Sequence, residues 1–441
     1  MTVSTANIKN PGEEMSENRV MNRWFAVLGA VLMQLALGAI YAWSVFTPSL
    51  IQAGWTKFQT QAVFSIGLVT FALSMVWAGK KMAKWGPTKL SLLSALVLGV
   101  GYALAGIAGG TSFTALCLFI GVIGGAGIGL GYVVPIAVGM RWFPDKKGFI
   151  TGLAVAGFGF GAMAWVKLAG AWGNLIGTIG LSSTFSVYGL IFCLMIAVGG
   201  IFMKFPPEGW TPEGYHPDTN QAAADEAAEE NFSFSEMLKT PQFYLIFITF
   251  TFSAAAGLMS IGLMKLYPME ALQASGHTAA ESSAIAGTAM AVFFSLSNGL
   301  GRIIWGTASD KLGRKTSILL MTAIQGITLL MFTAMAGSEF LLYVGATIIG
   351  FNFGGNFALF PTITADTFGT KNVGQNYPYI FLAYGVGGIF GPMLGGKLGD
   401  MNNFPLAFTI CGVCCLIGAV AIYLVKKPHR KLDGNPEFAG R

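Results

Sequence analysis

Charge is what this chain has least of. Lys and Arg together number 26, Asp and Glu 20, and charged residues make up only 10% of the 441 positions, against roughly a quarter in an ordinary soluble domain. A water-soluble globular fold is excluded. Histidine is scarcer still: His216, His277 and His429 all lie in polar breaks, and no Ser/His/Asp, His-rich or paired-carboxylate cluster falls within an apolar run, so a membrane-embedded enzyme has no visible machinery. Cys117, Cys193, Cys411, Cys414 and Cys415 sit inside apolar segments, where a thiol behaves as a small hydrophobe. The CxxC spacing in "CGVCC" has no second pair or histidine beside it, so no metal and no cofactor is expected. The net charge of +6 is spread over short clusters rather than one basic patch, which argues against a nucleic-acid partner. A cleavable signal peptide is not expected either, because the first apolar run is too long for a signal core and leads into many others.

What the chain has instead is 54% hydrophobic residues, with Gly 60 and Phe 35. Apolar runs of about 20 residues match a hydrocarbon core of roughly 30 Å. Twelve such runs start near Trp24, Thr60, Thr88, Phe113, Gly148, Ser182, Gln242, Ala284, Gly313, Glu339, Val373 and Phe404. They are continuous rather than alternating, which predicts helices instead of a barrel. The expected fold is an all-α membrane protein of twelve transmembrane helices in two pseudo-symmetric six-helix halves.

The basic clusters lie in the N-terminal segment, in "GKKMAKWGPTK", "RWFPDKKG" and "SDKLGRK", and in "KKPHRK" after the last run. By the positive-inside rule these face the cytoplasm, with both termini. The boundaries that follow are a cytoplasmic tail over 1–22, a first half over 23–204, a linker over 205–240, a second half over 241–427 and a tail over 428–441. Within the linker, "NQAAADEAAEEN" is acidic and poor in core-forming residues, as expected of a solvated connector. A shift of 226 residues superposes Gly124 on Gly350, Gly129 on Gly355, Pro135 on Pro361, Gly148 on Gly374, Gly159 on Gly385 and Gly161 on Gly387. One register for six matches implies a duplicated six-helix unit. The ladder "GGAGIGLG" has no preceding strand and no Gly-Lys-Ser/Thr ending, so it reads as helix packing rather than a nucleotide loop.

Arg302 stands alone in the eighth run, "SNGLGRIIWG". A lone arginine is costly in hydrocarbon unless it faces a cavity or a partner. Every Asp and Glu of the chain lies in a loop or near a run's end, so no mid-membrane carboxylate is available to neutralise it. Two readings are open. Arg302 either bonds Asp310, eight residues on, or a backbone carbonyl, or snorkels to the surface; or it faces a central cavity and grips an anionic cargo through a two-pronged hydrogen bond.

The stretch "GTASDKLGRK", Gly306 to Lys315, resembles the loop signature G-x-x-x-D-[RK]-x-G-R-[RK] of the major facilitator superfamily. Its first-half counterpart is "GKKMAKWGPTK", with Ala83 in the aspartate position. "LALGAIYAWSVF", "GLGYVVPIAVGMRWFPDKKG", "LKTPQFYLI", "NGLGRIIWGTASDKLGRK" and "FNFGGNFALFP" are further similar to the oxalate/formate antiporter family, which includes bacterial monocarboxylate transporters. The resemblance implies a transporter in a bacterial inner membrane, working as a monomer on a small carboxylate anion, with a proton or counter-anion as coupling partner. Gly306, Asp310, Lys311, Gly313, Arg314 and Lys315 would form a conformational latch. Arg302 would hold the substrate carboxylate. Helix spacing and resemblance together nominate Gln34, Tyr41, Tyr132, Phe158, Phe353, Asn356, Phe357, Phe381 and Tyr384 as the lining. Relatives that move the oxalate dianion carry a second cation in the eleventh helix, within a Lys-Gly pair; here Tyr384 precedes Gly385. One cation favours a monoanion, since a second desolvated carboxylate would lack a partner. A dicarboxylate exchanger, an efflux pump for larger anions and a non-transporting sensor stay as alternatives. Lys167 and Lys265, toward the outer ends of the fifth and seventh runs, are expected to snorkel.

Overall fold

The structure is a computed structural model that describes residues 20–143, 147–170, 172–207, 210–212, 231–369, 373–426 and 428. The tail over 1–19, Asp145, the acidic stretch with His216, and His429 with the rest of the C-terminal tail lie outside these residues. Among the described residues every regular element is a helix.

Twelve helices are long and apolar enough to cross a membrane: α1 Arg23–Val45, α2 Lys57–Met82, α3 Pro87–Ile107, α4 Phe113–Trp142, α5 Phe149–Ala169, α6 Leu175–Ile201, α7 Pro241–Leu263, α8 Ala279–Leu312, α9 Arg314–Met335, α10 Glu339–Phe368, α11 Asn376–Asp400 and α12 Phe404–Leu424. The count agrees with the sequence. Two starts shift for identifiable reasons. In α6 the backbone turns at Gly180 (φ 79°, ψ 168°), so the unbroken part begins beside the expected Ser182. In α8 a capping box extends the helix back over polar residues: Thr278 N donates to Glu281 Oε2 at 2.9 Å and Glu281 N to Thr278 Oγ1 at 3.3 Å. α7 starts as the sequence suggests, with Thr240 Oγ1 accepting from Phe243 N at 3.3 Å and Pro241 in the first turn.

Glycine positions explain how the helices assemble. A Cβ on Gly129 would stand 2.3 Å from the Phe71 carbonyl oxygen, and one on Gly354 would stand 2.1 Å from that of Asn298. Thus α4 lies backbone to backbone on α2, and α10 on α8. Likewise Gly161 of α5 abuts the Leu35 carbonyl of α1, and Gly391 of α11 abuts the Ala255 carbonyl of α7, each at 2.1 Å from an added Cβ. The same helix pairs therefore meet through glycine in both halves, and Gly387, the counterpart of Gly161, also abuts α7, at the Thr251 carbonyl; Pro135 and Pro361 lie inside the equivalent α4 and α10. The duplication read from sequence is therefore a duplication of packing.

The halves meet through two further equivalent pairs. Gly159 brings α5 against Asn298 of α8, and Gly388 brings α11 against Leu68 of α2. One face of the bundle carries the start of α1 and the central connection. There Arg23 covers the Phe143 ring at 4.5 Å, Trp142 Nε1 donates to the Lys204 carbonyl at 2.7 Å, and Asn376 Nδ2 donates to the Phe232 carbonyl at 3.0 Å. On the same face, Phe234 stacks on Tyr379 at 3.7 Å, while Lys80 of α2 approaches that tyrosine ring at 5.4 Å. On the opposite face the N–H groups of Lys57 and Phe58 donate to the Asp400 carboxylate at 2.7 and 3.1 Å, and Lys57 Nζ pairs with Glu270 at 2.5 Å. Both faces are tied across the two halves, and the middle is shut.

A candidate anion site at the centre of the bundle

α1 is α-helical to Leu37 and tightens to a 3-10 segment over Gly38–Val45. Gly38 permits this against α5: an added Cβ would meet the Phe158 carbonyl oxygen at 2.1 Å. The contact sets Tyr41 edge-on to Phe158, with ring centroids 4.9 Å apart. From there an aromatic wall closes around the centre. Phe158 meets Tyr132 at 5.4 Å, Tyr132 meets Phe381 at 5.7 Å, Phe381 stacks on Tyr384 at 4.9 Å, and Tyr384 meets Phe357 at 5.6 Å. Phe353 completes it, 5.3 Å from Phe357 and 5.7 Å from Tyr41. The Tyr41 and Tyr384 hydroxyls, one from each half, lie 3.0 Å apart.

Arg302 lies within this wall and is fully buried, at 0% exposure. Its Nη1 donates to the Val155 carbonyl of α5 at 2.8 Å, and its Nε to Asn298 Oδ1, one helical turn away, at 3.2 Å. The guanidinium carbon sits 4.1 Å from the Phe357 ring centroid and 5.4 Å from that of Phe158. Cation–π contact eases the burial of charge but does not cancel it. Neither Nη2 nor the Tyr132 hydroxyl closes a well-aligned hydrogen bond among the described residues, while the Tyr132 and Tyr41 hydroxyls stand beside the guanidinium, near enough to interact with it directly. No carboxylate among the described residues pairs with Arg302.

Asp310 is engaged elsewhere. Its carboxylate lies 2.5 Å from Arg314 Nη2, and Arg314 Nε reaches Asp366 at 3.5 Å. Arg314 also bonds the Gly306 carbonyl at 3.4 Å and the Ser309 hydroxyl. Gly313 takes the left-handed region (φ 81°) between α8 and α9, and Lys315 Nζ donates to the Val425 carbonyl at 2.8 Å. Lys311 is exposed. These contacts of the signature join helices of one half. Of the alternatives for Arg302, the bond to a backbone carbonyl is present; the bond to Asp310 and the snorkelled conformation are not.

The structure gathers Arg302, Tyr41, Tyr132, Phe158, Phe353, Phe357, Phe381 and Tyr384 into one cluster. Gln34 borders it, donating to the Tyr132 carbonyl at 3.2 Å and so fastening α1 to α4. Asn356 belongs to a different group: its Oδ1 accepts from Ser253 Oγ at 2.8 Å, and Gln325 Nε2 donates to the Ser253 carbonyl at 3.2 Å. Sequence reasoning did not single out Phe71, whose ring lies 5.0 to 6.2 Å from those of Tyr132, Phe381, Tyr384 and Phe158. It also missed Asn298 as a partner of Arg302, although the i, i+4 spacing in "SNGLGR" was visible.

Comparison with known proteins agrees with this architecture. The family model described as Major Facilitator Superfamily matches residues 24–293 and 262–440. The chain is 29% identical to an uncharacterized MFS-type transporter of Escherichia coli over 84% of its own length and 87% of that protein's. It is 27% identical to the oxalate:formate antiporter of Oxalobacter formigenes over 96% of each chain. With apicoplast pyruvate carrier 1 of Toxoplasma gondii it shares 23% identity over 93% of this chain and 90% of the carrier.

Proposed function

Because the chain belongs to the major facilitator superfamily, whose members are membrane transporters rather than enzymes, we propose that it carries small organic monoanions, monocarboxylates of the lactate, pyruvate or formate type, across the bilayer by alternating access. The observation that carries the reading is a fully buried guanidinium with an unpartnered Nη2 and no neighbouring carboxylate. Isolated buried charge costs several kcal/mol, and a carboxylate meeting Nη2 and the Tyr132 hydroxyl would offset it. The apolar wall suits the short hydrocarbon part of such an acid and excludes water. Tyr41 and Tyr384 come from opposite halves, so a cargo touching both would favour their closure.

Two relatives carry small carboxylates by name, one an oxalate:formate antiporter and one a pyruvate carrier. Exchange of a dianion for a monoanion is the second reading, favoured by the first of these. Against it stands Tyr384, a neutral group where a second carboxylate would need a cation. The absence of a carboxylate near Arg302 among the described residues leaves coupling to a counter-anion or to a proton that travels with the acid. The distribution of Lys and Arg favours cytoplasmic termini, the bacterial relatives favour an inner membrane, and the two halves of a single chain suffice for the rocking motion.

The test is uptake of labelled lactate, pyruvate, formate and oxalate into proteoliposomes, with and without a trapped counter-anion and with and without an imposed pH gradient. Uptake of a monocarboxylate above protein-free vesicles is the expected result. Uptake of oxalate alone, or of none of the four, overturns the proposal.

A further inference from the structure

A guanidinium only donates hydrogen bonds, and this fixes which way its partner faces. The Asn298 side chain must turn Oδ1 toward Arg302 Nε, as it does at 3.2 Å, so its Nδ2 is left to find an acceptor elsewhere. It finds none: Asn298 is fully buried, at 0% exposure, and Nδ2 has no hydrogen-bond partner among the described residues. Nor is the side chain free to turn away. Gly159 of α5 closes on it, since an added Cβ there would stand 2.7 Å from Oδ1, and Gly354 of α10 closes on the Asn298 carbonyl. Two N–H groups are thereby held without an acceptor where three helices cross, an arrangement that costs free energy. Lys265 shows the ordinary outcome for a partly buried donor. It does not snorkel, as its place in the sequence suggests; its ammonium folds back on the Ser283 carbonyl and, at 2.8 Å, on the Ser283 hydroxyl.

The unmatched amide lies beside the grip described above. Nε and Nη2 share one edge of the planar guanidinium, so the Asn298 oxygen on Nε and a cargo oxygen on Nη2 are neighbours. A carboxylate that meets Nη2 and the Tyr132 hydroxyl has used both its oxygens. What Nδ2 can still reach is an atom next to the carboxylate, and because Nδ2 only donates, that atom must be an acceptor. An oxygen on the second carbon of the acid fits. Formate has no second carbon, and a plain fatty acid offers only C–H there.

We propose that Asn298 is a further cargo-binding residue, whose amide reads an oxygen on the carbon next to the carboxylate and so selects 2-oxo and 2-hydroxy acids. The inference rests on the anion-transport reading above and narrows it. Oδ1 aims the guanidinium, and Nδ2 tests the cargo. An acid without the oxygen leaves buried donors unmatched, the circumstance in which a polar site discriminates most strongly.

Pyruvate, lactate and propionate share a three-carbon frame and differ at that position alone. Their binding to the purified full chain is read from the rise in unfolding temperature over a concentration series, and flux from labelled lactate counterflow in proteoliposomes. Pyruvate and lactate should bind about tenfold more tightly than propionate. Asn298→Ala and Asn298→Asp should bring that ratio to unity; the second keeps an oxygen on Nε and replaces the donor with another acceptor. Tyr377→Phe should leave the ratio unchanged, although the Tyr377 hydroxyl is also buried without a partner, on a ring 5.8 Å from Phe381. Equal binding of the three acids by the native chain, an equal loss of all three in the Asn298 variants, or loss of the ratio in Tyr377→Phe instead overturns the proposal. Discrimination without flux would overturn only the transport reading, and flux without discrimination only the role of Asn298. Binding of none of the three overturns both.

Discussion

Replacing Arg302 with lysine or methionine separates what the guanidinium does for the fold from what it does for a cargo. In the structure Nη1 is held by the Val155 carbonyl at 2.8 Å and Nε by Asn298 at 3.2 Å, leaving Nη2 as the free prong. A lysine keeps the charge but presents a single point donor, which cannot hold both protein acceptors and also reach the carboxylate as Nη2 would. A hydrogen bond to a charged group is worth about 1.5–3 kcal/mol, so loss of one prong should lower kcat/KM for a monocarboxylate by about 10- to 150-fold. Methionine removes the charge, and transport should be lost altogether. Its effect on the fold should run the other way. A buried, incompletely paired charge is replaced by an apolar side chain of similar volume, a change that is often neutral or stabilising. The assay is therefore double: initial rates of labelled lactate counterflow, and thermal unfolding with and without lactate. Arg302→Met should unfold at or above the native temperature without anion, and should show no rise when anion is added. Unchanged counterflow in either variant, or an intact lactate-induced rise in Arg302→Met, would refute the carboxylate grip.

Gly354→Ala forces a Cβ to 2.1 Å from the Asn298 carbonyl, pushing α10 off α8 beneath Arg302. A loss of about 1–3 kcal/mol in stability is expected, read as a lower unfolding temperature together with weaker anion binding. Tyr384→Phe removes one of two hydroxyls 3.0 Å apart and should weaken lactate binding several-fold while leaving the unfolding temperature of the anion-free protein within a few degrees. Asp400→Asn weakens the acceptor of two backbone N–H groups at the start of α2; amide exchange over residues 57–64 should accelerate, with the start of α7 unaffected. Burial first, and the charge of Lys167 second, lower the pKa of Lys265 in the folded protein from the usual 10.5 to about 8, so its charged form opposes folding below pH 8, and that penalty is relieved as pH rises toward 10.5. Lys265→Met should accordingly be more stable than the native chain at pH 7, with the difference shrinking above pH 8.

Much of this was legible because each feature had a local cause. Twelve spans followed from apolar length, the start of α7 from Thr240-Pro241, and the duplicated packing from glycines and a proline in one register. Arg302 could be singled out because nothing in its run explained a charge. Its bonding partners could not. Val155 contributes a carbonyl, which every residue has, and only the crossing of α5 and α8 at Gly159 makes that carbonyl available. Phe71 was hidden for a similar reason: it is one phenylalanine among 35, distinguished solely by which helices converge on it. Asn356 shows the converse. It shares α10 with Phe353 and Phe357, but its own angle on the helix directs it to Ser253 of α7. Spacing along one helix gives a face, and the neighbours decide what that face meets.

The Val155 carbonyl has a consequence for how the carrier behaves without cargo. It belongs to the half opposite Arg302, so in the proposed alternating-access cycle separation of the halves would break the bond and closure without an anion would restore it. If Arg302 grips the cargo as proposed, the Val155 peptide oxygen is a stand-in ligand that would compete with the cargo for the same guanidinium. A carrier built this way can return empty, because its charge need not face the closed interior bare. Net efflux of labelled lactate into anion-free buffer should then proceed at a rate comparable with exchange; strict dependence on external anion would show that the peptide oxygen is too weak a substitute.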